Sequence, residues 1–144
     1  MVQSDSGSRP PQWGSQPARE VFVITRGLGG AALSWGRALA APLLITQNPD
    51  VTKHWALLVG DSYYQLQKNS GVIVCDRETK SWWDGFDKYS AGWTYFDDDE
   101  IMREAQSTIE SMPPIYDITA NNCQIFTNNL MKRIAPGCRQ FKTL

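Results

Sequence analysis

Histidine occurs once in this sequence, as His54, and cysteine three times, as Cys75, Cys123 and Cys138. Any chemistry that needs an imidazole base therefore runs through His54. The cysteines are odd in number and include no Cys-x-x-Cys pair, which argues against a disulfide framework. The same scatter argues against a zinc site made from the cysteines and His54, and no metal is expected. A Walker-type GxxxxGK[ST] loop, GxGxxG, HExxH and GxSxG are all missing, so no motif points to a nucleotide cofactor or to serine or zinc hydrolysis. No cofactor is expected. Charge of one sign is missing too. A formal net charge of -1 gives no broad electrostatic grip on nucleic acid or on an anionic membrane. The most apolar stretch, AALSWGRALAAPLLI, contains Arg37 and a proline and is too short for a membrane span. The N-terminus shows no basic segment followed by an apolar one, so no secretory leader is expected and a reducing, cytoplasmic compartment is the default.

What is present suits one globular domain. The chain has 144 residues, 42% of them apolar and 20% charged, enough to bury a core without staples. Its six tryptophans supply either core bulk or an aromatic pocket. Residues 1–18 are rich in Ser, Pro, Gly and Gln and read as a disordered, removable arm, with a single domain over 19–144. EVFVITR is a β-branched strand, and residues 30–41 read as a helix stopped by Pro42. HWALLVGDSYYQLQ is a hairpin about Gly60-Asp61, and GVIVCDR is a third strand beyond a polar turn. SWWDGFDKYSAGWTYF reads as an aromatic loop. Asp97 and Glu100 make a capping box for a helix with Ile101, Ala105, Ile109 and Met112 at helical spacing. A last helix, about 122–134, places Phe126, Leu130 and Ile134 on one face. This order of elements predicts an α+β fold.

The chemistry concentrates at two places. In NNCQIFTNNL, an Asn-capped helix would put Cys123 in its first turn, where free N–H groups and the helix dipole favour a thiolate. With Asn121 as the N-cap, Gln124 would complete the cap, and the first-turn N–H groups could form part of an oxyanion hole near Asn122 and Gln124. The competing reading is a packed, inert thiol. His54 opens an apolar strand, which would favour its neutral, basic form. Position alone favours a structural histidine bonded to a loop carbonyl.

HWALLVGDSYYQL resembles the histidine-bearing hairpin of the lecithin:retinol acyltransferase-like family, and NNCQIFTNNL resembles that family's Asn-Cys helix. Both are also similar to permuted papain-like peptidases of the PPPDE type, and GWTYFDDDEI…YDITANNCQIF is similar to small fungal members of that superfamily. The resemblance spans residues 20–134, with histidine preceding cysteine as in a circularly permuted papain-like fold. It implies an antiparallel sheet packed on a helix that carries the nucleophile Cys123, with His54 as the base. The third, polarising position, commonly a second histidine, is occupied by Gln65. A glutamine carbonyl can accept the imidazole N–H and fix its tautomer, though it cannot stabilise imidazolium as a carboxylate does. A two-residue turn at Gly60-Asp61 would set Gln67 opposite His54, so Gln67 is the alternative.

The expected function is cysteine-dependent acyl transfer through a thioester on Cys123, as a hydrolase or an acyltransferase. The substrate would be soluble: a peptide, an isopeptide-linked protein or a small acyl compound. The competing function is a non-catalytic binding module with an aromatic-lined groove. Trp55, Trp82, Trp83 and Trp93, with Phe86 and Tyr95, are the candidates to contact substrate or ligand.

Overall fold

The computed structural model describes residues 17–26, 48–79, 86–117 and 122–143. Five strands form one antiparallel sheet: β1 (Arg19–Arg26), β2 (His54–Val59), β3 (Ser62–Asn69), β4 (Val72–Thr79) and β5 (Asp87–Thr94), in the spatial order β4-β3-β2-β1-β5. Two helices follow, α1 (Asp98–Glu110) and α2 (Cys123–Ile134), so the fold is α+β. The expected arm, the expected helix at 30–41 and Trp82 and Trp83 lie outside the described residues.

Both tight turns explain their sequences. Val59 pairs with Ser62 across Gly60, whose φ of 62° suits the glycine-first turn that follows the twist of a hairpin. Asn69 pairs with Val72 across Ser70 and Gly71, with φ of 54° and 83°, which is the primed geometry at both central residues. Each turn fixes a register, and the registers decide which side chains meet.

β2 is the central strand, and Trp55 to Val59 are all buried. A strand covered on both faces reads as an unbroken apolar run rather than an alternating one. Trp55, Leu57 and Val59 join the main core, together with Phe126, Leu130 and Ile134 of α2. Ala56 and Leu58 belong to a second cluster on the opposite face, with Ile24 and Tyr63. α1 begins with the capping box: Glu100 N donates to Asp97 Oδ1 and Asp97 N donates to Glu100 Oε1, both at 2.7 Å. Its first residue, Asp98, receives Arg19, Arg77 and the Tyr64 hydroxyl at 3.1 Å each, tying the helix to β1, β3 and β4.

One segment departs from the sequence reading. Residues 87–94 are the edge strand β5, hydrogen-bonded to β1, rather than part of a loop. Asp87, Tyr89 and Ala91 do face inward at a period of two. A buried carboxylate and a small alanine among those inward positions hide the alternation from an apolar pattern search.

The chain's end is held by two asparagines. Asn128 donates to Phe141 O at 2.7 Å and accepts from Phe141 N at 3.4 Å, and Asn48 makes the same pair of bonds with Lys142. Phe141 thereby packs edge-on against Trp55, with ring centroids 6.4 Å apart. That contact fixes the residue that follows His54.

Candidate active site

α2 opens at Asn122, not Asn121. The Asn122 side chain accepts the N–H groups of Gln124 and Ile125 at 2.9 and 3.1 Å, and Cys123 is the first helical residue. The Gln124 side chain reaches across to the segment that leads into β2. Its Nε2 donates to Val51 O at 2.8 Å and Lys53 O at 3.4 Å. It sits at N2, one position short of the N3 residue that can reach back to a cap. The consequence is mechanical: Gln124 fastens the segment leading into His54 to the helix that carries Cys123.

Cys123 lies against the start of β2, the strand that His54 opens. The Trp55 backbone N–H donates to Cys123 Sγ at 3.5 Å, so the sulfur lies beside the peptide unit joining His54 and Trp55. His54 Nε2 lies 2.8 Å from Gln65 Oε1. Gln67, expected opposite His54 by hairpin register, turns elsewhere: its Nε2 donates to Asp76 Oδ2 at 3.2 Å. The Gln65 Nε2 donates to the same oxygen at 3.3 Å. Asp76 is directly opposite Gln65 in the β3–β4 ladder. The polar row thus crosses three adjacent strands, from His54 to Gln65 to Asp76.

The electrostatics differ from the expected acidic thiol. Burial raises the Cys123 pKa above its ordinary value, outweighing the N–H groups of Trp55, Cys123 and Gln124 that favour the thiolate. His54 is shifted the other way: burial lowers its pKa, the Gln65 bond opposes this, and the Arg26 charge adds to the lowering. Both shifts favour a resting pair of neutral thiol and neutral imidazole. The helix N-terminus favours a thiolate, but desolvation of the sulfur outweighs it here.

No family model, curated protein or solved structure matches the chain. Chemical meaning has to come from the geometry itself.

Among the described residues, the candidate aromatics do not assemble into a groove beside His54 and Cys123. Trp55 is fully buried, with its indole Nε1 bonded to Asp50 O at 2.8 Å, so its backbone rather than its ring serves the site. Trp93 is 54% exposed but pairs with Glu20, whereas His54 pairs with Arg26 at the other end of β1. At about 3.3 Å per residue, that puts Trp93 roughly 20 Å from His54 along the strand. Phe86 packs against the cluster on the face of Ile24 and Ala56. Tyr95 is partly buried just beyond β5.

Two neighbours of the site were not singled out from sequence. Asp76 sits in a strand read only for its apolar residues, and its partner depends on the β3–β4 register. Tyr116 is the other. Burial raises its pKa, and so does the charge of a Cys123 thiolate, which marks the phenol as a neighbour of the sulfur. All three cysteines are unpaired. Burial pushes the Cys75 thiol up to about 12, and burial also raises the Cys138 thiol. Among the described residues no group of three or more His, Cys, Asp or Glu side chains is arranged to hold a metal ion. Among them also, no helix is long and apolar enough to cross a membrane.

Proposed function

We propose that this protein is a cysteine-dependent acyl-transfer enzyme with a circularly permuted papain-like fold, working through a thioester on Cys123 with His54 as general base. The observation that carries the proposal is the junction of α2 with β2. There the first-turn sulfur of Cys123 lies against the Trp55 N–H, and the imidazole of the preceding residue, His54, is held by Gln65. A buried thiol, the only histidine and a polar residue that orients it are the parts a thiol acyl-transfer site needs.

The neutral resting state sets the order of events. As Cys123 Sγ attacks an acyl carbon, its proton passes to His54 Nδ1, because the Nε2 proton faces Gln65 Oε1. The C–S bond forms and the carbonyl electron pair moves to oxygen. The Asn122 cap has taken the N–H groups of Gln124 and Ile125, so the Cys123 N–H is the first-turn donor we assign to that oxyanion. Collapse breaks the bond to the leaving group, which leaves with the proton from His54. Water then completes hydrolysis, or an amine or alcohol completes acyl transfer. A peptide, an isopeptide or a small acyl compound fits this chemistry, and the unpaired thiols fit a reducing, cytoplasmic setting.

The test uses p-nitrophenyl acetate as a generic acyl donor, with peptide mass mapping of the product. One acetyl group should appear on the Cys123 peptide at neutral pH, and His54→Ala should slow its appearance about a hundredfold or more. Preferential acetylation of Cys75 or Cys138, or a Cys123 rate indifferent to His54, would overturn the proposal.

A further inference from the structure

Asp76 stands behind Gln65 and accepts hydrogen bonds from two side-chain amides on one oxygen, Gln65 Nε2 at 3.3 Å and Gln67 Nε2 at 3.2 Å. A glutamine amide is nearly the same shape either way round, so its outline does not determine which end meets a neighbouring imidazole. An ionised carboxylate does determine it, because it can only accept. With Asp76 directly across the ladder, the nitrogen end of Gln65 turns toward β4 and Oε1 turns toward His54 Nε2 at 2.8 Å. An oxygen acceptor at Nε2 requires the proton there, and the lone pair of the neutral ring is then on Nδ1.

We propose that Asp76 is a positioning residue: acting through the amide of Gln65, it holds His54 in the Nε2–H tautomer. The effect on turnover rests on the acyl-transfer reading above, whereas the tautomer belongs to the resting protein and is measured without any substrate. Gln67 is the second donor to the same Asp76 oxygen and does not touch the Gln65–His54 bond. Asn at position 76 would offer both a donor and an acceptor, so the Gln65 amide could turn over and present its NH2 to Nε2. The ring proton would then move to Nδ1, the nitrogen that has to receive the thiol proton.

Because the chain has one histidine, its ring signals in a uniformly labelled sample need no assignment. Ring nitrogen and carbon shifts report the tautomer of His54 directly. Wild type should give the Nε2–H form. Asp76→Asn should move a measurable fraction to Nδ1–H and slow Cys123 acetylation by roughly tenfold to a hundredfold, short of the approximately 10⁴ cost of a wholly wrong tautomer. Asp76→Glu, still an acceptor only, and Gln67→Ala should both keep the Nε2–H form, and they cover the case in which Asp76→Asn does not fold. An unchanged tautomer in folded Asp76→Asn, or Nδ1–H in folded Asp76→Glu, refutes the positioning role. A tautomer that shifts as described in a protein whose Cys123 is never acetylated supports that role while removing the acyl-transfer reading.

Discussion

Gln124→Met separates the anchoring of His54 from the packing of the helix. Gln124 is 3% exposed, and its Nε2 reaches Val51 O at 2.8 Å and Lys53 O at 3.4 Å. Methionine has similar length and similar helix propensity, so the substitution removes the amide while keeping its bulk. The longer bond contributes weakly at that separation. Losing the shorter one strands a carbonyl in the interior, at about 1–3 kcal/mol. With a urea slope of about 1–3 kcal/mol per molar, the unfolding midpoint, followed by tryptophan fluorescence, should fall by roughly 1 M. Release of the segment before His54 should also cost catalysis, since a drift of about 1 Å between reacting groups can cost on the order of a hundredfold. Gln124→Glu should be less stable still, because a carboxylate would face two carbonyl acceptors. A Gln124→Met protein with the wild-type midpoint, and a glutamate variant no worse, would refute the anchoring. A lowered midpoint with an unchanged acetylation rate would confine Gln124 to a structural role.

Local signals carried most of the fold. The Asp97 capping box, the Gly60 turn and the stripe of Phe126, Leu130 and Ile134 are each specified within a few residues, so they were legible before any tertiary contact. β5 was not, because an edge strand with a buried Asp87 and a small Ala91 owes its form to pairing with β1. The candidate site divides along the same line. Cys123 and His54 stood out by their scarcity and by their places at the starts of elements. The choice between Gln65 and Gln67 was a tertiary matter. Register alone points to Gln67, but diagonal neighbours on a twisted ladder are within reach of long side chains, and the bond to His54 comes from Gln65. Asp76 became visible only once the Ser70-Gly71 turn had fixed its register. The direction of the thiol's pKa shift was illegible for a similar reason, since burial of Cys123 is created by everything packed around it.

Further outcomes follow from the same contacts. Cys123→Ala and Cys123→Ser should abolish turnover of p-nitrophenyl acetate with the fold intact, and His54→Ala should be nearly as severe, because nucleophile and base act as a unit. Gln65→Ala should be milder, on the order of ten- to a hundredfold, since the amide orients the ring without exchanging a proton; a loss of that size at Gln67 instead would transfer the orienting role. Phe126→Ala, at a fully buried position, should cost about 3–5 kcal/mol in denaturant unfolding. The pH dependence of kcat/KM tests the resting state of the site. Burial holds the His54 pKa below its ordinary 6.5, so the acid limb, where the base is lost, should have its midpoint below 6.5. Stability follows the same sign. As pH falls below 6.5 the unfolded chain takes up a proton that folded His54 resists, so the unfolded state binds more protons and folding weakens until the folded pKa is passed. That part of the loss should vanish in His54→Ala. An acid limb at or above 6.5 would mean that a thiolate on Cys123 already stabilises imidazolium in the resting enzyme, and the neutral pair would have to be abandoned.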